Sequence, residues 1–265
     1  MTFAQHPPPA REPSLFNEAA YPPPWGYVAT ILWAVAAFVV ASFAGLFFYG
    51  WVVGFDQLMT LSERLKNDPV TKYDGLLLSY VYLGSSITQI AIFAALIRLK
   101  RWPVIEYLGS AIPSLRAVVV CLALLALLVF LSDGVMALLG RNPVPEFQIV
   151  AYRTAKDAGA LPLLFATIVL IAPITEEIMF RGFVFRGLVR SQKYAPYMII
   201  LISIGFAIIH QQYDLIGLSQ VLAMALLLGW ARYLSGSILL SITMHVLANL
   251  IAMLETAAYL EWWLA

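Results

Sequence analysis

Residues 117–131 read AVVVCLALLALLVFL, an apolar run with no charge and no strong hydrogen-bonding side chain. A helix that is apolar on every face must be surrounded by other apolar groups, in a large core or in lipid. Comparable runs recur along the chain, and a helix needs about 20 residues to cross a hydrocarbon core about 30 Å thick. On that rule spans are expected at 27–53, 76–98, 116–139, 161–188, 196–211, 216–233 and 236–256, the fifth and sixth being short. Composition agrees. Hydrophobic residues make up 62% and charged residues 12%, whereas soluble domains are roughly 45–50% apolar and about 25% charged. The expected fold is an all-α, polytopic transmembrane helical bundle of about seven spans.

Residues 1–25 are proline-rich, lack hydrophobic periodicity and are expected to form a disordered tail. No cleaved signal peptide is expected, because no basic segment, apolar core and small-residue cleavage site follow one another there. The single cysteine, Cys121, lies inside an apolar run and allows no disulfide framework within the chain. With seven spans, nine basic residues fall on one side, among them Arg98, Lys100, Arg186 and Arg190, and six on the other. The positive-inside tendency then favours a cytoplasmic N-terminus and an external C-terminus, in the cell (plasma) membrane. A net charge of +1 without a basic cluster gives no reason to expect a nucleic-acid partner; the lipid bilayer is the expected one. The segment FDQLMTLSERLKNDP spaces its apolar residues for a single amphipathic helix lying on the surface.

Against this background APITEEIMFRG, residues 172–182, is out of place. Each charge at a helix centre costs about 2.5–3.5 kcal/mol on insertion scales, so Glu176, Glu177 and Arg181 need partners. Glu177 and Arg181, spaced i and i+4, can pair on one helix face. Glu176 points about 100° away and lacks that partner. On these residues alone, a structural ion pair with Glu176 reaching water is as good a reading as a functional one.

Two of the three histidines also fall in expected spans, His210 in SIGFAIIH and His245 in SITMHVLANL, with Asn249 one turn after His245. Glu176, His210, His245 and Asn249 together can build a hydrolytic site. A desolvated carboxylate is a capable general base toward water, a histidine can orient that water, and amide and imidazole groups can stabilise an oxyanion. The same Glu176, His210 and His245 could instead bind Zn2+, although no H-E-x-x-H motif is present. Residues of GSSITQ (Ser85, Ser86, Thr88, Gln89) and Asp133 are expected to tie helices together. Two other classes compete. A transporter would use the buried charges as an ion path, but favours repeats in the two halves of the chain, and none is visible. A silent immunity or scaffold protein would keep the polar residues for packing.

Three motifs carry a family resemblance. EEIMFR (176–181) reads as E-E-x-x-x-R, FAIIH (206–210) as F-x-x-x-H and HVLAN (245–249) as H-x-x-x-N, in that order on successive hydrophobic segments. Over about 161–255 the chain resembles the CAAX protease and bacteriocin-processing group of intramembrane endopeptidases, also called abortive-infection proteins. That group includes the type II CAAX prenyl endopeptidases. The resemblance implies that Glu176 and His210 activate water, that His245 and Asn249 stabilise the oxyanion, and that Glu177, Arg181 and Phe206 support them. It implies a peptide or lipidated protein substrate. Residues 26–160 would be N-terminal transmembrane helices, 161–255 the catalytic core and 256–265 a short C-terminal tail. The family has been described both as zinc-dependent and as metal-free. A metal-free enzyme with no required cofactor is expected, zinc on Glu176, His210 and His245 being the alternative.

Overall fold

The computed structural model describes residues 25–109 and 111–263, and among them there are helices and turns but no strands. The expected proline-rich tail, apart from Trp25, lies outside the described residues. The principal helices are α1 (Tyr27–Val53), α2 (Gly75–Leu99), α3 (Leu115–Leu138), α4 (Glu146–Asp157), α5 (Leu161–Leu188), α6 (Ala195–Ile208), α7 (Leu215–Ser235) and α8 (Ile238–Ala258). Their starts follow from local chemistry. Asp74, Ser114, Asp214 and Ser237 each accept a backbone N–H of the first turn they precede, satisfying donors that a helix start leaves unpaired. Gly236, left-handed at φ 67°, closes α7 and lets the chain reverse into α8.

Six helices are long and apolar enough to cross a membrane, α4 and α6 being the exceptions. The expectation of seven spans is thus corrected to six. The fifth expected span is α6, with only 14 residues, roughly 21 Å at 1.5 Å per residue, against a core of about 30 Å. It stops at Ile208 because the polar run from His210 to Asp214 turns the chain and caps α7.

Charged residues gather at the bundle ends as their loops dictate. At one end the Lys100 ammonium lies 4.4 Å from the Trp25 ring centre and the Arg190 guanidinium 4.0 Å from that of Tyr27. At the other, Arg141 pairs with Asp214, and Lys156 holds Glu261 at 2.7 Å. The Gly217 N–H and the Arg141 guanidinium hold the Asp214 carboxyl below the usual carboxylate range. Glu261 belongs to a π-helical turn, Tyr259–Trp263, that extends α8, so the expected C-terminal tail is helical to Trp263. The single amphipathic helix expected near 55–65 is instead two short ones, Phe55–Met59 and Leu61–Asn67, broken at Thr60.

Helices α1 and α2 pack along a seam of small residues. Ala34, Ala37, Ala41 and Gly45 are buried at spacings of three and four, which lets two membrane helices approach closely. A Cβ at Gly45 would lie 2.2 Å from the Ser85 hydroxyl and 2.3 Å from the Val81 carbonyl oxygen. Gly45→Val should therefore force the pair apart and destabilise the protein by about 1–3 kcal/mol. A melting curve in detergent unchanged from wild type would show that the seam tolerates widening.

Candidate active site

The site is built on a distortion of α5. Two π-helical segments, Ala166–Ile171 and Ile178–Val184, bracket the six α-helical residues APITEE. π-Bulges inside helices frequently mark functional sites. In the first segment the Ala172 N–H reaches back five residues to the Thr167 carbonyl. The same register would join residue 173 to the Ile168 carbonyl, but Pro173 has no N–H to give. Asn249 of α8 supplies the missing donor, its Nδ2 standing 2.8 Å from the Ile168 oxygen. One proline thus fixes an amide from another helix beside the glutamates.

The paired glutamates have separate environments. Glu177 is fully buried and its Oε1 accepts from Arg181 at 2.9 Å and from His245 Nδ1 at 3.0 Å. Arg181, 1% exposed, also donates to the Ala225 carbonyl at 2.9 Å and lies over the Phe206 ring at 4.6 Å. Glu176 is 18% exposed, facing a cavity, with its Oε2 3.8 Å from His245 Nε2 and 3.9 Å from His210 Nε2.

Both imidazoles have their tautomer set by the nitrogen that points away from Glu176. The Phe206 carbonyl can only accept, so His210 Nδ1, 2.8 Å from it, carries a proton. The Glu177 carboxylate likewise takes the Nδ1 proton of His245. With Nδ1 held in this way, each ring turns its Nε2 toward Glu176. Phe206 is buried between them, its ring centre 4.5 Å from that of His210 and 5.8 Å from that of His245.

Glu176, His210, His245 and Asn249 all line one cavity of about 120 Å³. A second, of about 220 Å³ and largely apolar, shares Glu176, His210 and Tyr82 with it and runs among α1, α2 and α5. A third, of about 420 Å³ beside Arg141 and Asp214, shares Phe147, Gln212 and Tyr213 with the first. Phe147 and Tyr213 meet edge to face there, with centroids 4.9 Å apart. Burial, with the negative charge of Glu176 second, pushes the Tyr213 phenol up to about 12, so it is a protonated donor at neutral pH.

Zinc would need Glu176, His210 and His245 to close around one point. Ligand atoms bonded tetrahedrally at about 2.0–2.1 Å lie roughly 3.3–3.4 Å apart, whereas Glu176 stands 3.8 and 3.9 Å from the two imidazoles. Among the described residues no three His, Cys, Asp or Glu side chains close to metal-ligand geometry. As placed, these atoms do not fit the ion.

Tyr82 was not singled out from the sequence. With Ser85, Ser86 and Gln89 it follows the i, i+3, i+4, i+7 spacing of one helix face, and the four line the 220 Å³ cavity. That spacing was the available signal. Of the GSSITQ residues expected to tie helices, Gln89 does so, reaching Met179 Sδ at 3.3 Å, while Thr88 bonds back to its own helix. Arg232, fully buried and with no carboxylate partner among the described residues, donates to the carbonyls of Arg181 and Leu108, both at 3.1 Å.

A bundle of membrane-length helices with carboxylate, imidazole and amide groups around an internal cavity defines the class: a polytopic membrane protein with a polar site enclosed among its helices. Residues 158–251 match the family model described as type II CAAX prenyl endopeptidase Rce1-like. The match spans all three motifs and bears out the resemblance drawn from them, to a family of intramembrane proteases. No curated protein and no solved structure matches the chain.

Proposed function

We propose that the protein is a metal-free intramembrane endopeptidase that hydrolyses a peptide bond of a membrane-associated substrate, prenylated or bacteriocin-like. The observation that carries this reading is the convergence of two imidazole Nε2 atoms on Glu176 Oε2, at 3.8 and 3.9 Å. One water oxygen can sit within hydrogen-bond distance of all three. Glu176 takes a proton from that water as its oxygen attacks the scissile carbonyl carbon. His210, fixed by the Phe206 carbonyl, orients the water through Nε2. His245, its Nδ1 held by the Glu177 carboxylate, presents Nε2 to the developing oxyanion. Asn249 keeps a second amide hydrogen for the same purpose while the first holds Ile168. The apolar 220 Å³ cavity suits a lipid chain or an apolar side chain beside the scissile bond. The N-terminus is assigned to the cytoplasm and the protein to the plasma membrane, on the basic residues around Trp25.

Purified protein, assayed on matched prenylated and unprenylated membrane peptides, provides the test. Cleavage should persist in excess chelator, and the active protein should carry no stoichiometric zinc. Activity lost to chelation and restored by zinc would overturn the metal-free mechanism. Asn249→Ala should lower turnover by about 10²–10³, as loss of one oxyanion donor does. Because the Ile168 carbonyl loses its partner, the same change should cost about 1–3 kcal/mol of stability. Wild-type turnover in a destabilised Asn249→Ala protein would leave Asn249 with a purely structural role.

A further inference from the structure

Hydrolysis places strict demands on the junction between the two inner cavities. A peptide chain occupying both would put its scissile bond where they meet, beside Glu176. The residues lining both are Tyr82, Ala172, Glu176, His210 and Gln212. Glu176 and His210 handle the water, so the carbonyl oxygen needs donors from elsewhere. The two expected donors are partly committed. Asn249 spends one amide hydrogen on Ile168, and His245 spends Nδ1–H on Glu177.

Tyr82 is the neutral hydroxyl at this junction. It sits on α2, whose close seam with α1 makes it a rigid element, and it heads the polar face continued by Ser85, Ser86 and Gln89. Among the described residues its hydroxyl has no hydrogen-bond partner, although the residue is within electrostatic reach of Glu176. A phenol in a low-dielectric cavity, with no partner of its own, is a preorganised donor. Gln212, the other neutral donor, belongs to the turn between α6 and α7 and not to a helix.

We infer that Tyr82 is a further catalytic residue, whose hydroxyl donates a hydrogen bond to the scissile carbonyl oxygen as it becomes an oxyanion. The role rests on the proposed peptidase reading. As the water oxygen bonds to the carbonyl carbon, the carbonyl π pair moves onto oxygen and the water proton passes to Glu176. Tyr82 keeps its own proton throughout. When the oxyanion collapses, the C–N bond breaks and the amine leaves with the proton held by Glu176.

Tyr82→Phe tests this in the purified full-length protein, with Glu176→Gln in the same assay. The expected result is a fall in kcat of about 10²–10³, with KM within twofold, the melting temperature retained and the pH profile unchanged in shape. Gln212→Ala should lose less than tenfold. Full activity in Tyr82→Phe, or a change confined to KM, overturns the proposal. So does a displaced acidic limb, which would mean that the hydroxyl serves Glu176 instead of the carbonyl. If Glu176→Gln is inactive and Tyr82→Phe is not, only the role of Tyr82 fails. If Glu176→Gln cleaves like wild type, the peptidase reading fails and this inference with it.

Discussion

Glu176→Gln should abolish peptide cleavage, lowering turnover by on the order of 10³–10⁴, while the protein folds and melts as wild type does. A positioned general base contributes about 10²–10⁴, and the amide cannot take its proton. The upper part of that range is expected because no second carboxylate is free to substitute. Glu177, one residue away, has its Oε1 occupied by Arg181 and His245 and is fully buried. Stability should be spared for the opposite reason. Glu176 faces a cavity, makes no ion pair closer than 3.8 Å and is replaced by a group of the same shape. Cleavage and thermal unfolding of both proteins in one detergent check the two halves together. Retained cleavage would remove Glu176 from the chemistry, and with it the peptidase reading.

Parts of this site were legible in the sequence because their physics is local. The pairing of Glu177 with Arg181 follows from i, i+4 spacing, and the unpaired direction of Glu176 from a 100° rotation. Hydropathy finds six membrane-length helices because each is a long apolar run bounded by polar caps. It overcounts at α6, whose apolar residues merge with a turn that the polar groups of the site require. The hydrogen bond from Asn249 to Ile168 was hidden, since it depends on an i to i+5 register that no periodicity reports. Pro173 was in view, but which carbonyl it orphans is a property of the π segment. Tyr82 was hidden for another reason: tyrosine is common near membrane surfaces, and only its spacing with Ser85, Ser86 and Gln89 distinguishes it. Arg232 stayed ambiguous as well, since a basic residue near a span end usually reaches the interface, whereas this one turns inward to two carbonyls.

Arg181→Ala should be the most destabilising single change at the site, costing about 3–5 kcal/mol as a buried pair does when one charge is left alone. Truncation strips Glu177 of the guanidinium 2.9 Å away, frees the Ala225 carbonyl and removes the cation over Phe206. It also frees the Glu177 carboxylate to shift, and with it the Nδ1 contact that turns His245 Nε2 toward Glu176. Arg181→Lys should restore little, because one ammonium on a flexible stem cannot match a planar fork that reaches both a carboxylate and a carbonyl. The double change Glu177→Gln with Arg181→Met separates charge from shape. It removes both ions, fills the volume and keeps an oxygen that can accept from His245 Nδ1. Stability should recover by most of the loss, since replacing a buried pair with neutral groups of similar size is often neutral. Turnover should stay depressed, because a neutral amide holds His245 Nδ1 less firmly than a carboxylate does. Melting curves and cleavage rates for the four proteins decide the matter: if Arg181→Ala melts within a degree of wild type, the ion pair is not what holds α5 in place.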